Sequence, residues 1–176
     1  MKHRVNNASN RARMGKGLIA MTALLACQGL WAQVPDDGYE LSYVANAAHG
    51  DLIADGRYRL AIHLLSGGGH DPLARMTNLC VARTMLGEFS KARRDCNRAV
   101  QLSEEAALAA AEDERQNSYG NWATALSNRG VMRAIRELDG AEEDFLQAIE
   151  LQAFPDTATR NLARFNRAEH PELAAK

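Results

Sequence analysis

The chain reads as all-α, an α-α superhelix of short helices packed in antiparallel pairs. Three observations predict this. Ala, Leu, Glu and Arg are abundant while aromatics make up 6% of the 176 residues, which favours helix over sheet. No segment sustains a period-two alternation of Val, Ile, Thr and aromatics, so no sheet is expected. Breaks fall at Asp55-Gly56, Ser66-Gly67-Gly68-Gly69, Gly87, Asp139-Gly140 and Phe154-Pro155, and the stretches between them mostly suit helices of about 10–16 residues. Hydrophobic residues at 46% and charged residues at 24% suit one folded domain. They argue against disorder, collagen or a disulfide-dense miniature.

The first element is a leader. Residues 1–32 hold Lys2, Arg4, Arg11, Arg13 and Lys16 and no acid, followed by the apolar run Leu18-Ile19-Ala20-Met21-Thr22-Ala23-Leu24-Leu25-Ala26. A basic start before a short apolar run is the layout of a secretory signal peptide. The run is short for a membrane span, which needs about 20 apolar residues. Cleavage after Ala32 is one outcome. Leu24-Leu25-Ala26-Cys27 also resembles a bacterial lipobox, in which Cys27 becomes a lipidated N-terminus and anchors the protein to a membrane. Either outcome places the mature chain outside the cytoplasm, in the periplasm or secreted. Removing the leader's five basic residues turns a formal charge of −1 into 16 basic against 22 acidic residues. An acidic mature chain offers no field for nucleic acid.

Residues 33–40 follow as a linker, in which Val34–Gly38 contains Pro35 and two acids and reads as a loop. The informative signal comes next, as repetition. Met76-Thr77-Asn78-Leu79-Cys80-Val81-Ala82-Arg83 is followed by Leu86-Gly87-Glu88-Phe89, then Ala92, Cys96, Ala99 and Leu102. Leu126-Ser127-Asn128-Arg129-Gly130-Val131-Met132-Arg133 is followed by Asp139-Gly140, then Ala141, Phe145, Ala148 and Leu151. Small residues at Cys80 and Ala92, or Gly130 and Ala141, allow two helices to approach closely. Leu126, Phe145, Met76 and Leu102 fill the layers between neighbours.

These two copies, at 73–103 and 119–154, resemble the tetratricopeptide repeat, a helix–turn–helix unit of about 34 residues. A degenerate copy at 41–72 precedes them. There His49 sits 12 residues before Ala61, as Cys80 does before Ala92, and Gly56, Tyr58, Ala61 and Leu65 align with Gly87, Phe89, Ala92 and Cys96. Residues 104–118 are an insertion of helix-forming composition, with Ser103 as its N-cap. It is expected to lengthen the first helix of the last repeat, with a bend near Ser118-Tyr119-Gly120. Residues 155–170 form a capping helix started by Asp156 or Thr157, with Leu162 and Phe165 covering the open end.

The resemblance implies a binding surface on the concave side, lined by the first helix of each repeat. The positions are Thr77, Val81, Thr84, Met85, Ser127, Val131, Ala134 and Ile135. Some relatives clamp a C-terminal carboxylate there with Lys and Asn. Val81 and Val131 stand where that clamp needs Asn, which argues for an extended or helical apolar segment instead. Asn78 and Asn128 recur at one position, where Asn is more often structural in the family. The repeat also puts Cys80 and Cys96 on facing helices. A bridge closing a loop of about 15 residues could add about 3 kcal/mol in an oxidising compartment. The expected neighbour of Cys80 is Ala92, however, so a bridge and two buried thiols both remain open.

Catalytic signatures are missing. Ser66-Gly67-Gly68-Gly69-His70 lacks the Lys-Ser/Thr ending of a phosphate loop and follows no strand. His49, His63 and His70 lack metal-ligand spacing, with packing expected for His49 and solvent for His70. Glu142-Glu143-Asp144 reads as a solvated, dipole-favoured helix start. Lys91, Arg93, Arg94 and Arg98 read as a solvated face or as partners of the acids that follow. The expectation is a non-catalytic adaptor or assembly factor without cofactor or metal, binding an envelope protein or peptide. The alternatives are a self-associating structural protein of the envelope and a lipid-anchored scaffold.

Overall fold

A computed structural model describes residues 38–69, 71–151 and 156–169. The chain divides into a unit of Met1–Leu30, outside the described residues, and a unit of Trp31–Lys176 that contains every described element. The leader, its cleavage after Ala32, Cys27 and His70 therefore lie outside the described residues. Seven described helices follow an extended start: α1 Gly50–Ala54, α2 Tyr58–Ser66, α3 Pro72–Met85, α4 Phe89–Ala109, α5 Arg115–Ile135, α6 Ala141–Leu151 and α7 Asp156–Glu169. No strand occurs among the described residues, and none of these helices is long and apolar enough to cross a membrane.

The helices pair antiparallel because one turn recurs three times. Gly56, Gly87 and Glu137 each take a left-handed backbone, with φ of 69°, 69° and 50°. The next residue then donates its N–H five residues back, Arg57 to Leu52, Glu88 to Arg83 and Leu138 to Arg133. This closes the orphan carbonyls of the preceding helix and reverses the chain. Asp71 starts α3, its carboxylate accepting from the Ala74 N–H with Pro72 at the first helical position.

The small-residue contacts stand as the sequence suggests. Ala92, Ala99, Ala141 and Ala148 are buried, as are Leu126 and Phe145. The largest apolar cluster joins α4, α5, α6 and α7 through Val100, Trp122, Leu126, Ala148 and Ala158. Leu162 and Phe165 of α7 cover the end of the stack, against Val131 and Phe145.

Four sequence expectations change. The insertion does not lengthen one helix. It divides between α4, which continues to Ala109, and α5, which begins at Arg115. Ser103 is therefore not a cap. It is buried inside α4 and its hydroxyl donates to the Val100 carbonyl, a bond that satisfies it without breaking the helix. The described helix α5 also runs unbroken through Ser118, Tyr119 and Gly120, so the expected bend is absent there. In the degenerate first copy, α1 has five residues and His49 precedes it as N-cap at φ 64°, rather than packing inside a helix.

Candidate functional site: a strap held by an asparagine row

The described residues of the expected linker, 38–40, and the first residues of the expected first repeat, 41–44, form one segment. It lies extended against α7, α5 and α3 in turn, as a strap. Extended backbone points the N–H and C=O of every second residue to the same edge. Here that edge faces three asparagines. Glu40 donates its N–H to Asn161 Oδ1 at 2.9 Å, and its carbonyl accepts from Asn161 Nδ2 at 2.9 Å. Ser42 does the same with Asn128, at 2.9 and 2.6 Å. Val44 does the same with Asn78, at 2.8 and 3.2 Å. Two residues of extended chain advance about 7 Å, so the three carboxamides stand in a row on that pitch.

All three asparagines are buried, with 0–1% of their surface exposed. A buried carboxamide costs stability unless its donors and acceptor are used, and the strap uses them. Each sits on a different helix. Asn78 is on α3, Asn128 on α5 and Asn161 on α7, and Asn161 also donates to Ser127 Oγ at 3.2 Å. The recurrence of Asn78 and Asn128 is visible in the sequence. Asn161 and the strap lie outside that recurrence. Their trace is the short alternation Tyr39-Glu40-Leu41-Ser42-Tyr43, ahead of the helices, which suits an extended segment with one apolar edge.

Side chains of the strap make distinct contacts. Tyr39 stacks on Phe145 with ring centroids 6.4 Å apart, and the Arg164 guanidinium lies 5.7 Å from the Tyr39 ring centre. Glu40 takes a two-pronged ion pair from Arg160, with Nε to Oε1 and Nη2 to Oε2 both at 2.7 Å. These hydrogen bonds hold the Glu40 carboxyl below the usual value of 4.5. Leu41 packs against two apolar clusters, one containing Val81 and the other Val131 and Phe145.

Of the expected concave positions, Val81, Val131, Ala134 and Ile135 lie in the clusters that Leu41 joins, and most of the eight are closed. Thr77, Val81, Thr84, Ser127 and Val131 are buried. Thr84 donates to the Cys80 carbonyl, and Val81 and Val131 belong to the clusters beneath Leu41. Ala134 and Ile135 remain partly exposed and Met85 is 38% exposed. At Val81 and Val131 the expected surface is covered by the chain's own strap, through Leu41.

Behind this face the helix pairs are locked. Cys80 and Cys96 are joined by a disulfide across α3 and α4, with Cα atoms 4.8 Å apart. Gly130 and Phe145 hold the matching positions on α5 and α6. There a Cβ on Gly130 would come within 2.7 Å of the Phe145 ring. Charge ties the same pairs. Arg83 reaches Asp95 at 2.6 Å, while Arg129 and Arg133 reach Asp144 at 2.6 and 2.9 Å. Asp144 is buried, so it does not belong to the solvated face read from the sequence, whereas Glu142 and Glu143 are exposed. Burial lifts Asp95 above the usual carboxylate value despite the pull of Arg83. The basic stretch Lys91, Arg93, Arg94 and Arg98 is exposed, and Lys91 pairs with Glu88 at 3.0 Å.

Among the described residues, no group of three or more His, Cys, Asp or Glu is placed to hold a metal ion. No protein-family model matches the chain, and neither a curated protein nor a solved structure is significantly similar to it.

Proposed function

We propose that this chain is an exported, non-catalytic interaction module of the tetratricopeptide type. Its working surface is the face of α3, α5 and α7, and its partner is a protein or peptide segment of the cell envelope. The observation that carries this reading is the asparagine row. Asn78, Asn128 and Asn161 each bind both main-chain groups of one extended residue. A surface built that way recognises polypeptide backbone, as an added strand recognises a sheet edge. The repeated helix pairs with their recurring turn support the family resemblance, and the basic leader supports export.

Photocrosslinking tests this. A photoreactive phenylalanine analogue replaces Met85, which is 38% exposed near the end of α3, or Ile135, which is partly exposed in the cluster that Tyr39 and Leu41 join. Arg98, on the exposed basic side of α4, serves as control. In intact cells one discrete envelope protein should be captured from positions 85 and 135 and not from position 98. Equal capture at all three positions, or none at 85 and 135, would overturn the reading.

A further inference from the structure

The strap has an unusual relation to the face it fills. Its main-chain bonds at Glu40, Ser42 and Val44 go to side-chain amides, not to another strand or to a helix. Those bonds use groups that any extended peptide carries, so they do not depend on the strap's own sequence. Selectivity comes from three consecutive side chains instead. An aromatic ring at 39 meets Phe145 and Arg164, an acid at 40 meets Arg160, and an aliphatic group at 41 meets the clusters of Val81 and Val131. Hold on the strap is also uneven. Glu40 is exposed, Tyr43 is 37% exposed, and Leu41, Ser42 and Val44 are only partly covered.

We infer that the strap is an internal ligand, and that an external segment of the same chemistry displaces it. The occupant is an extended peptide with an aromatic, an acidic and an aliphatic residue in succession, running from α7 towards α3. This rests on the face being a peptide-binding surface, and adds what it binds and how access is controlled. Vacating the face without replacement would expose the apolar clusters under Leu41 and leave three carboxamides to water. Exchange of one extended segment for another avoids both costs. The tether gives the strap an effective concentration in the millimolar range, so a free segment with the same contacts binds weakly until the strap's grip is reduced.

The test uses the mature chain and a fluorescent, end-blocked heptapeptide of sequence Gly-Tyr-Glu-Leu-Ser-Tyr-Val. Glu40→Arg breaks the exposed pair with Arg160 and leaves the main-chain bonds in place. Anisotropy should show the peptide binding this variant up to about fivefold tighter than wild type, the scale of one exposed ion pair. Saturating peptide should speed hydrogen exchange at the Ser42 and Val44 amides of the protein. A peptide with Arg at its acidic position should bind poorly, and should recover on Arg160→Glu.

Unchanged exchange at Ser42 and Val44 under saturating peptide would overturn the inference and make the strap a permanent part of the fold. So would failure of the peptide to bind either protein. A dimer that grows with concentration and blocks peptide binding would overturn it in favour of straps traded between copies. If Glu40→Arg does not fold, the wild-type exchange measurement decides alone. Because the peptide is synthetic, this test and the crosslinking at 85 and 135 can fail independently.

Discussion

Asn128 holds both main-chain polar groups of Ser42 from 86 residues away in the sequence. It is the central member of the row, and its carboxamide is 1% exposed. Asn128→Ala removes two hydrogen bonds and leaves the Ser42 N–H and carbonyl facing a methyl group. The expected loss is about 2–3 kcal/mol, from two bonds and a desolvated pair left unmade. Urea denaturation of the variant should show a lower midpoint with an unchanged slope. Asn128→Asp keeps the acceptor but sets a buried carboxylate against the Ser42 carbonyl, and should cost at least as much.

The Cys80–Cys96 bridge and the Gly130–Phe145 contact are two solutions to one packing position. Replacing both cysteines by Ser should cost about 3 kcal/mol under the chain-entropy account, with two hydroxyls then buried. Cys80→Gly with Cys96→Phe copies the neighbouring helix pair and should regain part of that loss. Thermal melts of the two double variants, side by side, measure the difference. In the unfolded, unreduced protein a thiol reagent should find Cys80 and Cys96 unreactive, and reaction at either would show the bridge is not formed.

Two glycines on α5 should respond in opposite directions to the same substitution. A Cβ on Gly130 would sit 2.7 Å from the buried Phe145 ring, while nothing lies within 4 Å of a Cβ on Gly120. Gly130→Ala should therefore destabilise by about 1–3 kcal/mol, the scale of core overpacking. Gly120→Ala should stabilise by roughly 0.5–1 kcal/mol, the ordinary gain of Ala over Gly inside a helix. Equal signs in chemical denaturation would refute the packing account.

What could be read ahead of the structure follows from how each feature is encoded. Gly56 and Gly87 mark their turns because glycine is the usual residue for a left-handed backbone. Glu137 fills the third such turn and leaves no mark of that kind. The helix-pair cores are legible because Ala92, Ala99, Ala141 and Ala148 follow a local period. The bounds of α4 and α5 are not, because the break at Ala110–Glu114 falls in a stretch with no Gly or Pro to mark it. The strap is the largest omission. Its seven residues have no helical period, and its partners lie 34, 86 and 121 residues away. Reading the concave positions as open followed from missing what covers them.

Glu137 carries backbone strain that can be removed. It sits at φ 50°, where Gly56 and Gly87 occupy the equivalent turns. A non-glycine residue in that region costs about 1–2 kcal/mol of steric strain, partly offset in the unfolded chain, where glycine is the more flexible. Glu137→Gly should raise stability by about 0.5–1 kcal/mol. Gly87→Ala should lower it by a similar amount. A rise in melting temperature for the first and a fall for the second would confirm the equivalence of the turns.

The Glu40–Arg160 pair gives the strap a pH dependence of known sign. Arg160 holds the folded Glu40 carboxyl below its unfolded value near 4.5. A lowered folded value means the unfolded chain binds the proton more readily. Stability from this pair is therefore fully present above the unfolded value and is lost as pH falls through the folded one. Both side chains are half-exposed, at 47% and 53%, so the effect is small and weakens with salt. Glu40→Gln removes the charge at every pH. Wild type and this variant should differ in urea midpoint at pH 7 and low salt, and converge as pH falls below 4.5. Arg160→Gln should converge in the same direction. A difference that did not shrink at all as pH falls would show that packing, not charge, sets the contribution of Glu40.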